Sequence, residues 1–97
     1  MEESLKESLL LFKKECVARL GERVKRIVVA VREKKVFALI VAEELNEREE
    51  YKLYRATADF ALKAKILLFV FPYSSFDFRR RESLAFIQRI LKEGEEL

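Results

Sequence analysis

Along the first twenty residues Leu5, Leu9, Phe12, Cys16 and Leu20 recur at spacings of three and four among Lys, Glu and Arg. That is one apolar stripe of an amphipathic helix over residues 4–20, which Gly21 ends. Glu2 and Glu3 complement the positive end of its dipole, and Ser4 followed by Glu7 reads as a capping box. The period then becomes that of strands. Val24 to Val31 (VKRIVVAV) and Val36 to Ala42 (VFALIVA) flank Arg32-Glu33-Lys34-Lys35, which predicts a hairpin. The second run is apolar throughout, as in a strand covered on both faces. Asn46 with Glu49 three residues on is a second capping box, opening a helix to about Lys63 whose inner face is Tyr51, Tyr54, Ala58, Ala61 and Leu62. Ile66 to Phe71 (ILLFVF), stopped by Pro72, predicts another buried strand. After the turn Pro72-Tyr73-Ser74-Ser75 comes one helical stretch, whose later part carries Leu84, Ile87, Ile90 and Leu91 at helical spacing before Gly94.

The order α-β-β-α-β-α predicts an α+β fold of two-layer α/β type, with a three-stranded mixed sheet and helices against it. A right-handed crossover makes the second and third strands parallel and the first antiparallel to the second. At 97 residues with 51% hydrophobic content and 38% charged, the chain is a single domain spanning 1–97. Composition then removes whole classes of chemistry. There is no His and only one Cys, so the nitrogen and sulfur ligand sets of zinc are out of reach within the chain, as is serine–histidine or cysteine–histidine catalysis. Cys16 lies on the buried stripe and reads as a small core residue. No apolar run approaches the ~20 residues that span a bilayer. The N-terminus is acidic where a secretory signal would be basic, so the expectation is a cytoplasmic protein without a membrane segment. Dense Lys, Arg and Glu with only Asn46 and Gln88 as amides is a thermophile-like composition.

Leu20-Gly21-Glu22-Arg23-Val24-Lys25 between a helix and an apolar strand, Val36 to Glu44 (VFALIVAEE), Ile66 to Tyr73, and the closing Ser83 to Leu97 (SLAFIQRILKEGEEL) together resemble the minimal nucleotidyltransferase domains of the DNA polymerase β superfamily. The similarity covers nearly the whole chain in element order. It implies a Gly-Ser at the end of the first strand that holds nucleotide phosphates, an Asp-x-Asp on the second, and a third carboxylate near the start of the third. The corresponding positions here are Val31 and Arg32, then Lys35 and Phe37, then about Lys65, and the short helix after the Gly-Ser is missing. Two-metal phosphoryl transfer needs acidic oxygens to clamp Mg²⁺, and these side chains supply none. Asp59 and Asp77, the only Asp residues, have no partner at metal-ligand spacing. The resemblance thus implies a degenerate domain with no catalytic residues, no metal site and no cofactor. It also implies a protein partner, since such domains pair with small helical HEPN-type proteins in toxin–antitoxin modules.

Two basic clusters account for the net charge of +3. Arg32, Lys34 and Lys35, joined by Lys65, form a candidate anion site at the hairpin tip. Arg79, Arg80 and Arg81 follow Phe76 and Phe78, and basic residues interleaved with aromatics suit single-stranded nucleic acid, the alternative to a protein partner. A divergent nucleotidyltransferase using Glu43 or Glu44 is the enzymatic alternative. Tyr51, Tyr54, Phe60, Phe69, Phe71 and Tyr73 exceed what a small core hides, so self-association as a C2 homodimer is also expected.

Overall fold

The computed structural model describes residues 2–97. Helix α1 (Glu3–Leu20) leads through a 3₁₀ turn (Gly21–Arg23) into the hairpin β1 (Val24–Arg32) and β2 (Lys35–Ala42). Helix α2 (Glu47–Ala64) crosses back to β3 (Leu67–Ser74), and α3 (Ser75–Arg81), α4 (Ala85–Glu93) and β4 (Glu95–Glu96) complete the chain. The sheet order is β3-β2-β1-β4, with β1 antiparallel to β2 and β2 parallel to β3, as the crossover rule requires.

The sheet has four strands where the sequence predicts three. The additional one, β4, is two glutamates paired antiparallel with Val28 and Val29 of β1. Nothing apolar marks it. It is held by its setting: the Leu97 N–H donates to the Ile27 carbonyl at 2.9 Å, and Arg26 pairs with Glu96. The single C-terminal helical stretch is likewise two helices. Leu84 is extended between them (φ −62°, ψ 139°), and the Ser74 hydroxyl caps α3 by accepting from the Asp77 N–H at 3.1 Å.

The local signals fare unevenly. Asn46 and Glu49 form the expected reciprocal capping box, at 2.8 and 3.2 Å. Gly21 ends α1 with φ 62°, which suits a residue without a β-carbon. The Ser4–Glu7 box does not form. Helix α1 begins one residue earlier, and Ser4 instead donates to the Glu2 carboxylate at 2.7 Å. The hairpin closes through Glu33 and Lys34 alone, both with positive φ (52° and 70°), the backbone hand that matches strand twist in a two-residue turn.

Because side chains alternate along a strand, β1 and β2 serve two cores. On one face Ile27, Val29, Val36, Ala38, Ile40 and Ala42 pack beneath α1 (Leu9, Phe12, Cys16, Leu20) and α2 (Leu53). On the other, Val28, Ala30, Leu39 and Val41 meet Phe78 of α3 and Ile87 and Ile90 of α4. The buried line of α2 is Leu53 and Thr57, with Phe60 against Phe12 (centroids 5.4 Å apart), in place of the expected Tyr51, Tyr54, Ala58 and Leu62, which are exposed. Ala61 is half-buried. Tyrosine is amphipathic and gave that stripe a false weight, whereas the Thr57 hydroxyl is satisfied inside by donating to the Leu53 carbonyl at 2.7 Å.

Candidate interaction surface

The hairpin end of the sheet carries the positions that the nucleotidyltransferase resemblance singles out. Arg32 pairs with Lys35 at the turn, and Phe37 lies two residues further on, so all three project on the face of the second core. The parallel register sets Leu67, Phe69 and Phe71 beside Lys35, Phe37 and Leu39 on that face. Helix α4 covers only its far part. Ile87 and Ile90 are buried, while Phe86 and Arg89 stop at the edge of the uncovered area.

What remains is an apolar groove of about 310 Å³ between Phe37, Phe71 and Phe86, floored by Ala30 and Ile90 and rimmed by Arg32, Arg89 and Glu93. Its rings form a row. Phe37 lies 5.5 Å from Phe69 and 6.4 Å from Phe71, all close to parallel, and Phe71 meets Phe86 at 5.3 Å with a tilt of 52°. Among the described residues Arg32, Lys35 and Arg89 have no carboxylate within salt-bridge distance. An apolar centre within unpaired cations is suited to a partner with an aromatic or aliphatic anchor and an acidic margin. It is not suited to a divalent cation. An ammonium group and a phenyl ring occupy the two positions where the resemblance implies carboxylates, and among the described residues no three Asp, Glu, Cys or His side chains converge.

The basic residues separate into three places. Arg32 lies on the aromatic face, while Lys34 and Lys65 line a shallow recess on the α1 side together with Glu2. Lys65 closes α2 in the left-handed conformation (φ 57°). Arg79, Arg80 and Arg81 belong to α3, beyond Ser74, which pairs with Ala42 at the opposite end of β2 from Lys35. An eight-residue strand puts about 23 Å between those ends, so the two clusters do not form one surface. Within α3 the aromatic pair divides too: Phe78 is core, whereas Phe76 is 68% exposed with the Arg80 guanidinium 5.6 Å from its ring centroid. Glu43, at the far end of β2, faces Lys25 at 3.5 Å and is remote from the groove.

Beside the entrance to α2, Arg23 pairs with Glu49. That hydrogen bond, with the one from the Asn46 N–H, holds the Glu49 carboxyl below its ordinary value. Phe86 and Arg89 of the groove are not among the expected site residues, Phe86 entering only within the closing Ser83 to Leu97 resemblance. The only local signal was their spacing of three on the flank of the Ile87–Ile90 stripe.

Two solved structures from Shewanella oneidensis have this fold. One is a crystal structure matched at TM-score 0.60 and 12% identity over 93% of this chain and 67% of that chain. The other is the MNT antitoxin in complex with a tri-AMPylated HEPN toxin, matched at TM-score 0.59 and 12% identity over 92% and 70%. MNT is a minimal nucleotidyltransferase fold, so at the level of architecture the resemblance read from the sequence and the fold agree. No protein-family model and no curated protein matches the chain. Among the described residues no helix is long and apolar enough to cross a membrane.

Proposed function

We propose that this chain is a non-catalytic, nucleotidyltransferase-like interaction module whose partner is a small helical HEPN-type protein. The observation that carries the reading is the match of more than nine-tenths of the chain to an antitoxin solved in complex with a HEPN toxin. The toxin of that complex is AMPylated; the sequence resemblance sets Lys35, Phe37 and about Lys65 at the positions where metal-dependent nucleotide transfer would need carboxylates. The groove at Phe37, Phe71 and Phe86 supports the non-catalytic part, because an apolar cleft rimmed by Arg32 and Arg89, with Glu93 as its single carboxylate, suits a protein better than Mg²⁺.

Co-expression with a helical HEPN-type protein encoded beside this chain tests the partner. A stable complex in which neither protein gains the mass of AMP is the expected result, and failure to co-purify overturns the pairing. Titration calorimetry with ATP or GTP and Mg²⁺ tests the chemistry. No heat is expected, whereas metal-dependent binding with turnover, abolished by Glu43→Gln or Glu44→Gln, would establish the divergent enzyme instead. The nucleic-acid alternative through Phe76–Arg81 has less support now that Phe78 is core. Salt-sensitive retention of RNA that is lost on replacing Arg79, Arg80 and Arg81 by Ala would restore it.

A further inference from the structure

At one end of the sheet β1 is closed by β4, but at the other β3 has no neighbour. Its outer edge is blunted only by Pro72. From Ile66 to Phe76 no residue is charged, although natural edge strands ordinarily carry Lys, Glu or a bulge to prevent pairing. The surfaces on both sides of this edge are apolar. Below it lie Leu67 and Phe69, 52% and 41% exposed. Above it lies α2, whose Ala56, Phe60 and Lys63 flank faces α1. At 100° per residue, the opposite flank carries Tyr54, Ala58 and Ala61 towards β3. Tyr54 is 49% exposed on that flank, and Leu62, 78% exposed, lies on the adjoining outer face near the C-terminal end of α2.

We infer that β3 pairs antiparallel with β3 of a second copy of this chain, forming a C2 dimer with a continuous sheet. Three observations select a second copy as the occupant. The first is Pro72, which is paired with Ile40 of β2 and has no N–H; a proline keeps such a ladder intact only where its nitrogen faces away from the neighbour. Alternate residues share that direction, so Leu68 and Val70 turn their N–H groups outward. A two-fold axis at Val70 then opposes Leu68 to Pro72 of the second copy, where the carbonyl that Pro72 retains accepts the Leu68 N–H. It also sets Phe69 across from Phe71, joining the two rows of rings.

The second is charge. An isologous contact places like on like, which a strand without charges tolerates, and the antiparallel arrangement brings Lys65, just before β3 of one copy, to the recess at the far end of the strand in the other. That recess holds Glu50 and Asp77 against a single Arg81. The third is area. With side chains of about 200 Å² each, the exposed parts of Tyr54, Leu67 and Phe69 come to roughly 300 Å² a copy before the strand backbone is added. The total is then about 800 Å², the size of a weak, reversible contact.

Sedimentation equilibrium of the isolated chain, with amide hydrogen exchange at low and high concentration, tests this interface independently of any HEPN-type protein, which is absent from the experiment. A monomer–dimer equilibrium is expected, with the Leu68 and Val70 amides gaining protection as the dimer fills. Leu67→Lys and Phe69→Lys, at exposed positions, should each weaken dimerisation at least tenfold while leaving the circular dichroism spectrum unchanged. A chain monomeric at all concentrations overturns the inference and leaves the edge to a different protein. So does a dimer unaffected by both lysines, or protection gained elsewhere than β3.

Discussion

Gly94 is the residue on which the attachment of β4 depends, and replacing it by Ala isolates that dependence. Its φ of −89° is open to any L-residue, so backbone conformation is not the reason for glycine. The reason is space. A β-carbon at position 94 would lie 2.5 Å from the Ile90 carbonyl oxygen, 2.8 Å from the Val29 carbonyl oxygen and 2.9 Å from Val28 Cγ1. Two of these neighbours are backbone, one in a helix and one in a central strand, and neither can rotate away. Retaining the fold with such overpacking costs about 1–3 kcal/mol. The alternative is to release β4, giving up its bonds to Val28 and Val29 and the 2.9 Å bond from Leu97 to Ile27. Two or three hydrogen bonds at about 1 kcal/mol each set a similar ceiling. Gly94→Ala should therefore lower stability by about 2–3 kcal/mol in urea unfolding, with the Leu97 amide losing its exchange protection. A loss under about 0.5 kcal/mol, or a Leu97 amide as protected as in the parent, would refute the reasoning.

At the hairpin tip, Glu33→Asn with Lys34→Gly should stabilise the chain by about 1 kcal/mol in the same urea assay, because both positions have positive φ without the residues that favour it. Burial pushes the Cys16 thiol up to about 12, so Ellman's reagent should leave the folded protein unmodified at neutral pH and react fully once urea unfolds it. The depressed Glu49 carboxyl contributes stability that is present above its unfolded value of about 4.3 and is lost as pH falls through the lower folded value. Urea midpoints of the parent and Glu49→Gln should accordingly differ at pH 7 and converge in acid.

Legibility in the sequence followed how local each signal was. The α1 stripe, the Gly21 stop, the Asn46–Glu49 box and the hairpin are set within a few residues, and the fold has them where the pattern places them. Features decided by distant partners were hidden. Glu95 and Glu96 become a strand only because Gly94 lets them reach β1 and Arg26 awaits there. The Ser4–Glu7 motif lost to a competing acceptor two residues upstream, Glu2. Tyr51 and Tyr54 looked like core because helical spacing cannot tell a tyrosine that faces the core from one on an exposed flank. The groove was half visible. Phe37 and Arg32 stood out as replacements within a family pattern, but Phe86 and Arg89 acquire meaning only from the angle at which α4 crosses the sheet.

The sheet that separates the two cores also divides the molecule by durability. One side is secured by two helices of eighteen residues each, the other by helices of seven and nine. The smaller side can open while the larger stays folded, because β1 and β2 keep their ladder and their other face throughout. Pairs of substitutions on opposite sides then act independently, whereas pairs within one side share their losses. The face bearing the aromatic groove is for the same reason the one where sequence can drift at the smallest cost to the fold. Substitutions on the rim of that groove, at Arg32 or Arg89, accordingly leave the packing beneath α1 and α2 untouched.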